Sequence, residues 1–173
     1  NLCANRSMIG MTRPGGFAER MTIPAGSVID VPQDMGVREV ALTEPAATAL
    51  HALDLATRAL ARPLPEARVL VIGGGAIGLL TALLLKSYGC REIELAETNP
   101  LRRASVEKTG AARAFDPLAS APTENAFELV VDAVGGKATR ASALAAVKPG
   151  GVMLHIGLQD WASEIDMRKL TLA

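Results

Sequence analysis

The sequence is poor in aromatic residues, which make up only 3% of its 173 residues. Its 49% hydrophobic content therefore comes mainly from Leu, Val, Ile and Ala, side chains that suit helices packed tightly on a sheet. With 21% charged residues, the composition is typical of a globular protein. A chain of this length buries roughly 70% of its unfolded surface, so we expect a core of one domain, or slightly more, without cross-links.

Neither sign of charge is in excess, because 18 Lys and Arg residues balance 18 Asp and Glu residues. Proteins that bind nucleic acid or an anionic membrane through charge usually carry a basic excess, so we expect neither partner. The longest uncharged segment, residues 69–85, is shorter than the ~20 residues of a spanning helix and contains three adjacent glycines. The sequence therefore predicts no membrane span.

Cysteine is also scarce, with Cys3 and Cys90 the only two in the sequence. Two cysteines imply no disulfide framework and are consistent with a reducing compartment. We recognise no secretory signal before the first polar residues. We therefore expect a cytoplasmic protein.

The first sixty residues change in texture near residue 41. Rough alternation at 17–23 and 27–31, separated by a Pro-Ala-Gly turn, predicts two antiparallel strands at the edge of another domain. Residues 41–60 have helical spacing, with Thr43 as the expected N-cap and Pro45 in the first turn. These changes predict a domain remnant over 1–43, a second domain over 44–160 and an incomplete segment over 161–173.

From residue 68 onward, apolar runs alternate with helical segments. We expect strands at 68–72, 92–96, 111–115, 127–132 and 152–156, and helices at 79–88, 101–109 and 137–147. Crossovers of this kind produce parallel strands with helices on both faces of the sheet. The strand runs are continuously apolar, as expected for burial on both faces. The predicted fold class is α/β, with a doubly wound parallel sheet.

A glycine-rich turn, Gly73-Gly-Gly-Ala-Ile-Gly78, follows the first of these strands and opens a helix. In this context Gly73 permits the tight turn, Gly75 lets a pyrophosphate approach the backbone, and Gly78 lets helix and strand pack closely. The helix N-terminus, with Ala76 and Ile77, offers free N–H groups to the phosphates. The motif predicts a Rossmann dinucleotide site, although glycines that merely turn a strand into a helix remain the alternative.

Glu97 lies 19 residues after Gly78, at the end of the second strand. An acid at this point accepts hydrogen bonds from the adenosine ribose. It also repels a 2′-phosphate, at a cost of roughly 4 kcal/mol for two charges ~4 Å apart at an effective dielectric constant of ~20. Arg102 and Arg103 can offset part of that cost. We therefore expect NAD rather than NADP, with a solvated strand-end acid as the alternative role of Glu97.

Two further turns follow strands at the same edge of the predicted sheet. Ligands of open parallel sheets bind along the carboxyl ends of the strands. We therefore expect these turns to line the nicotinamide side of the cleft, through Val134, Ile156, Gly157 and Leu158. The alternative is that they are ordinary strand-ending turns.

Several motifs, taken together, resemble the medium-chain dehydrogenase/reductase family, in its zinc-dependent alcohol, sorbitol and threonine dehydrogenase branch. The resemblance covers nearly the whole chain. The motifs that carry it are Asn1-Leu-Cys3, Gly15-Gly-Phe-Ala-Glu19, Glu44-Pro-Ala-Ala-Thr-Ala-Leu-His-Ala52, Val71-Ile-Gly-Gly-Gly-Ala-Ile-Gly78, Asn99-Pro100 and Val147-Lys-Pro-Gly-Gly151.

The resemblance implies roles for individual residues. Glu44 corresponds to the acid near or on the catalytic zinc, and Cys3 to the last of four structural-zinc cysteines. Glu97 corresponds to the ribose acid and Arg102 to the basic residue beside the adenosine. It also implies that the N-terminal remnant belongs to an antiparallel β, GroES-like catalytic domain.

The family's remaining zinc ligands have no counterpart in this sequence. Cys3 cannot form a tetrahedral site by itself, and Glu44 alone cannot hold zinc. We expect His51 and His155, the two histidines, to be packing residues. The resemblance thus implies a fragment that binds NAD without turnover, from a homodimeric or homotetrameric parent enzyme that holds zinc and oxidises a secondary alcohol or polyol.

Two other functions remain open at this point. One is a zinc-free, quinone-reductase-like oxidoreductase, against which Cys3 and Glu44 argue. The other is a non-catalytic nucleotide-binding module. A flavin or S-adenosylmethionine site is also compatible with the fold, although the glycine spacing and Glu97 favour NAD over the methyl donor.

Overall fold

The structure, a computed structural model, describes residues 4–172. The chain divides into two compact units, Asn1–Val40 and Ala41–Ala173. Cys3 lies outside the described residues. No helix in the described part of the chain is both long and apolar enough to cross a membrane.

The first unit contains little regular structure over residues 4–40. It has a 3₁₀ turn at Ala25–Ser27 and the four-residue helix α1 at Val37–Val40. The strands predicted at 17–23 and 27–31 are wrong, since neither segment forms a strand. The extended backbone persists at Val28 (φ −93°, ψ 135°), but Val28 joins no ladder. A short alternating segment becomes a strand only when it pairs with a neighbour and packs one face, and no antiparallel pair forms within residues 4–40.

The second unit is built on five parallel strands and four helices. The strands are β1 (Val69–Ile72), β2 (Ile93–Ala96), β3 (Arg113–Phe115), β4 (Phe127–Asp132) and β5 (Val147–His155). The helices are α2 (Thr43–Ala59), α3 (Ala76–Ser87), α4 (Pro100–Thr109) and α5 (Lys137–Ala146), followed by the short α6 (Met167–Leu172). The strand order is β3-β2-β1-β4-β5. This order confirms the predicted doubly wound α/β fold.

Strand β1 distributes its side chains to two hydrophobic cores, one on each face of the sheet. Val69 and Val71 pack in the core that α2 and α3 cover. Leu70 and Ile72 pack in the core that α5 covers. All four side chains are buried, which explains why the strand is apolar throughout rather than alternating.

Helix α2 differs in two respects from the sequence expectation. Thr43 is its first helical residue rather than its N-cap, because Ala46 N–H already donates to the carbonyl of Leu42 at 2.9 Å. Its buried face consists of Ala49, Ala52, Leu53 and Ala56, whereas Leu50 is 44% exposed. Small alanines let the helix pack closely on the neighbouring core, which includes residues of α3, and hydrophobic spacing alone undervalues them.

Most other element boundaries lie within a few residues of those predicted. The segment expected at 127–132 is β4 itself, and Gly110 ends α4 in a left-handed conformation (φ 61°). Helix α3 begins at Ala76, three residues earlier than expected. Strand β5 begins at Val147, the last residue of the expected helix, and an irregularity in its register opposite β4 accommodates the Pro-Gly-Gly segment.

The topology determines where a site can form. Strand β1 pairs with β2 on one side and with β4 on the other, so the crossovers from β1 and to β4 leave the sheet in opposite directions. Carboxyl ends of these parallel strands meet at one edge, which carries the residues after Ile72, Ala96 and Asp132. Such a switch point is where doubly wound sheets open a ligand crevice.

Candidate functional site

The turn after β1 requires glycine at two positions. Gly73 has φ 99°, and a Cβ there would lie 2.6 Å from Val134 Cγ2. A Cβ on Gly78 would lie 1.8 Å from the carbonyl oxygen of Gly73, so α3 packs directly against the turn. These two glycines are therefore explained by the protein's own packing.

Gly75 is different, because a Cβ added there would meet no atom within 4 Å. Its backbone (φ −74°, ψ −170°) is open to any residue. It is the N-cap of α3, where no side chain caps the helix and no acid lies in the first turn. The N-terminal N–H groups of this twelve-residue helix thus have no side-chain cap, and the space beside Gly75 is open, as an anion site needs.

Glu97 follows β2 and is buried, with 6% of its surface exposed. Its Oε2 accepts a hydrogen bond from the backbone N–H of Gly74 at 2.7 Å. Its Oε1 accepts from the backbone N–H of Asn99 at 2.8 Å. A solvated strand-end acid would lack these bonds, so the structure excludes the alternative role raised for Glu97.

Charge reinforces this arrangement. Burial raises the pKa of the Glu97 carboxyl, but the bonds from Asn99 and Gly74, with Arg102 nearby, outweigh burial and leave the pKa below its ordinary value. Arg102 Nη1 lies 3.8 Å from Glu97 Oε2, and its side chain is 60% exposed. The site therefore presents a buried, hydrogen-bonded carboxylate beside a largely exposed cation.

Gly74 was missed as a site residue by the sequence analysis. Its N–H anchors Glu97, and a Cβ on it would lie 3.2 Å from Glu97 Cγ. The signal in the sequence was the run of three adjacent glycines, because the Gly-x-Gly-x-x-Gly motif does not require glycine at the position of Gly74.

A cavity of about 430 Å³ lies at this edge of the sheet. It brings together five residues predicted from sequence, namely Gly73, Gly75, Glu97, Arg102 and Val134. Its other lining residues, which the sequence analysis did not single out, are Ile72, Ala96, Thr98, Pro117, Ala133, Thr139 and Gln159. Ile156, Gly157 and Leu158 do not line the cavity.

The turns after β4 and β5 interlock at one end of the cavity. A Cβ on Gly135 would lie 2.0 Å from the carbonyl oxygen of Gly157, and one on Gly157 would lie 2.1 Å from the carbonyl carbon of Val134. Gln159 N–H donates to the carbonyl of Val134 at 3.1 Å. Gly157 thus packs directly against the backbone of Val134. Leu158, in contrast, is 89% exposed.

Asp132, the last residue of β4, stabilises the turn after β4 through hydrogen bonds. Its fully buried Oδ1 accepts from the N–H groups of Val134 at 3.1 Å and Gly135 at 2.8 Å. Its Oδ2 has no hydrogen bond among the described residues, and His155 Nδ1 faces it at 3.3 Å. His155 is half-exposed and lies against Asp132, rather than being the core packing residue expected from sequence.

Of the two residues assigned to zinc, the structure describes Glu44. Glu44 lies exposed in the first turn of α2. Cys3 falls outside the described residues. Within residues 4–172, no three His, Cys, Asp or Glu side chains are grouped closely enough to hold a metal ion. The zinc roles of Glu44 and Cys3 therefore stay predictions.

Comparison with known families gives one match that covers more than half of the chain. The sequence model described as zinc-binding dehydrogenase matches residues 76–173. That range begins at the first residue of α3 and includes Glu97, Val134 and the turn after β5.

Curated relatives are similar over almost the whole chain. An L-threonine 3-dehydrogenase of Mesorhizobium japonicum is 27% identical over 178 residues, covering 98% of this chain and 50% of the relative. One of Rhizobium rhizogenes is 28% identical over 182 residues, with the same coverage. The chain thus spans about half the length of the curated relatives it matches.

Solved structures also match this chain over almost its whole length. A zinc-binding dehydrogenase of Sinorhizobium meliloti 1021, bound to NADP, superposes with a TM-score of 0.83 at 27% identity, covering 98% of this chain and 52% of that one. Acetophenone reductase of Geotrichum candidum, in complex with NAD, gives a TM-score of 0.86 at 23% identity, covering 98% and 48%. At that identity the second comparison supports the fold alone.

Proposed function

The chain belongs to the zinc-binding dehydrogenase family, which confirms the resemblance in its sequence, and from that premise we propose that its cavity binds NAD. In the proposal, residues 44–160 are the dinucleotide-binding domain of an oxidoreductase that transfers hydride between a secondary alcohol or polyol and NAD. Residues 1–43 are a remnant of its catalytic domain. The observation that carries the proposal is the buried Glu97 carboxylate, held by Gly74 N–H beside the uncapped start of α3.

The residues present fit a dinucleotide. The open space at Gly75 and the free N–H groups of α3, including those of Ala76 and Ile77, suit a pyrophosphate. Each Glu97 oxygen accepts one backbone hydrogen bond, and Oε1 also accepts a longer one from the Thr98 hydroxyl at 3.4 Å. Oε2 therefore keeps a lone pair for a ribose hydroxyl. Arg102 lines the cavity beside Glu97, and we assign it to the adenosine.

The charge of Glu97 favours NAD over NADP. Its lowered pKa keeps the carboxylate ionised at neutral pH, so it repels a 2′-phosphate. Arg102 offsets part of this repulsion, and the relative from Sinorhizobium meliloti binds NADP. We therefore expect a preference for NAD rather than an exclusion of NADP.

When bound, NAD supplies the hydride acceptor, and the residues of this chain bind and orient it. Val134 lines the cavity at the end away from Glu97's strand, next to the turn that Asp132 holds. We assign this end to the nicotinamide. Ile156, Gly157 and Leu158 belong to the same side, with Gly157 acting through its contact with Val134.

Zinc, when bound in the whole enzyme, would polarise the alcohol oxygen as a Lewis acid. We assign Glu44 to the surroundings of that zinc and Cys3 to a structural zinc, on resemblance alone. Because the chain spans about half of its curated relatives, we propose that it binds cofactor without turnover. The substrate would be a small alcohol in the cytoplasm, and the parent a homodimer or homotetramer.

Isothermal titration of the 173-residue chain with NADH and with NADPH tests the proposal, together with an alcohol-oxidation assay. We expect saturable NADH binding, weaker NADPH binding and no dehydrogenation. Absence of NADH binding, tighter binding of NADPH, or measurable dehydrogenation by this chain would each contradict part of it.

A further inference from the structure

Arg103 does not face the cavity, although it follows Arg102 directly. It is the fourth residue of α4, and its side chain reaches back to the residues just before the helix. Its Nη1 donates to the carbonyl oxygens of Glu97 at 2.8 Å and Thr98 at 2.7 Å. The same atom lies 3.1 Å from Asp116 Oδ2.

These three acceptors belong to two different loops. Glu97 and Thr98 form the turn after β2, and Asp116 opens the turn after β3. Asp116 also shapes its own turn, because Oδ1 accepts from Leu118 N–H at 3.0 Å. Pro117 lies between these two residues and lines the cavity, as do Glu97 and Thr98. Arg103 thus connects the two cavity-lining loops, after β2 and after β3, without lining the cavity itself.

The sheet itself offers little to hold these loops together. Strand β3 has three residues and pairs with β2 at the edge of the sheet. The last backbone bond between the two strands runs from Glu97 N–H to the carbonyl of Phe115, at 3.0 Å. Beyond that point, the contacts of Arg103 continue the connection. A charged guanidinium that donates to two carbonyls and forms an ion pair with a carboxylate is well suited to this task.

The contacts of Arg103 also determine where its positive charge lies relative to the cavity. Its side chain is 22% exposed and paired with Asp116, so its charge is neutralised away from the cavity. Arg102, at 60% exposure, is the cation that lines the cavity beside Glu97. The pair of adjacent arginines therefore divides into one that faces the ligand and one that braces the site.

We propose that Arg103 is a positioning residue for the adenosine end of the cavity, acting through the Glu97–Thr98 turn and Asp116. The inference rests on the proposed function, since it takes the ligand to be a dinucleotide. Arg103 fixes the placement of Glu97 and Pro117, and so it sets both affinity for the adenosine half and preference for NADH over NADPH.

The test is titration of the whole chain with NADH, NADPH and ADP-ribose, comparing the wild type with Arg103→Leu. We expect the variant to bind NADH and ADP-ribose more weakly by the same factor, roughly tenfold, as the loss of charge-assisted hydrogen bonds predicts. Its NADH preference over NADPH should fall, because a loosened Glu97 discriminates less. Arg103→Lys, which keeps a donor and a charge, should recover part of both.

Arg113→Leu is the matched control. Arg113 forms an ion pair of 2.8 Å with Glu94 across the same two strands, but neither residue lines the cavity. Its loss should leave NADH and ADP-ribose affinities at the wild-type level. If Arg103→Leu does not fold, judged by its thermal unfolding, Asp116→Asn provides the second test, with a smaller weakening in the same direction.

The outcomes separate the two proposals. If the wild type does not bind NADH, the proposed function and this inference both fail. If the wild type binds NADH while Arg103→Leu and Asp116→Asn match it in affinity and preference, only this inference fails. Equal weakening by Arg113→Leu would also overturn it, because a general loosening of β3 would then be sufficient.

Discussion

The backbone N–H of Gly74 donates to Glu97 Oε2 at 2.7 Å, which joins the turn after β1 to the turn after β2. This bond orients the carboxylate before any ligand arrives. A Cβ on Gly74 would lie 3.2 Å from Glu97 Cγ, so a larger residue there would displace the Glu97 side chain by a few tenths of an ångström. An acid held in place loses little conformational freedom on binding, so the site is pre-organised for ribose hydroxyls.

Replacing Gly75 by alanine separates binding from folding. A Cβ there meets no protein atom and the backbone conformation is ordinary, so we expect the free energy of unfolding to stay within about 0.5 kcal/mol of wild type. The methyl group occupies the space assigned to the pyrophosphate, so NADH affinity should fall by at least about tenfold. Urea unfolding and NADH titration measure the two effects. Unchanged affinity would show that the phosphates lie elsewhere.

Gly78→Ala provides the contrasting variant. Its Cβ would lie 1.8 Å from the carbonyl oxygen of Gly73, so α3 has to move away from the turn. We expect a loss of about 3 kcal/mol or more in the free energy of unfolding, as for other overpacked sites. Urea unfolding of the apo chain measures it. A stable Gly78→Ala variant would mean that helix and turn are not in close contact.

Asp132 should matter for stability more than its single charge suggests. Asp132→Ala leaves the N–H groups of Val134 and Gly135 without their acceptor, at a cost of roughly 2–4 kcal/mol. Asp132→Asn keeps an acceptor for both groups and should cost less. Chemical denaturation of the two variants compares them. Equal costs would show that pairing with His155, rather than support of the turn, is the main role of Asp132.

Acid should destabilise the chain through two buried carboxylates. Burial raises the pKa of Glu128, but Lys148 and the backbone N–H of Arg68 outweigh it, so its pKa is lowered, as is that of Glu97. A lowered folded-state pKa means that the unfolded chain binds more protons near pH 4.5 and just below it. The stabilisation is therefore complete above that pH and is lost as pH falls through the folded-state pKa values.

Urea midpoints measured from pH 7 to pH 3 check this dependence. The Glu97→Gln and Glu128→Gln variants should each show a shallower decline in acid than the wild type. A variant that declines as steeply as the wild type would show that its carboxyl group has no lowered pKa in the folded chain.

The structural features predicted from the sequence are those that depend on residues close together in the chain. The glycine spacing and the strand before it located the turn after β1, and the acid 19 residues later was placed correctly beside it. The parallel pairing of the strands followed from the alternation of strands and helices. These features are local, because a turn, a cap or an apolar strand is determined by a few consecutive residues.

The structural features that the sequence did not predict depend on contacts between segments that are distant in the chain. The face that α2 buries consists mainly of alanines, which hydrophobic spacing does not rank highly. The alternation at 17–23 predicted a strand, but pairing decides whether one forms, and none forms there. Arg103 gave no sign in the sequence that it would join Asp116 rather than face the cavity with Arg102.

The preference between NADH and NADPH, measured for the wild type and Glu97→Gln, tests the central claim most directly. Calorimetric titration of each cofactor into each protein gives four dissociation constants. We expect the wild type to bind NADH more tightly, and Glu97→Gln to lose most of that preference, because a neutral amide no longer repels the 2′-phosphate. Tighter binding of NADPH by the wild type, or the same preference in both proteins, would contradict the assignment of Glu97 to the ribose.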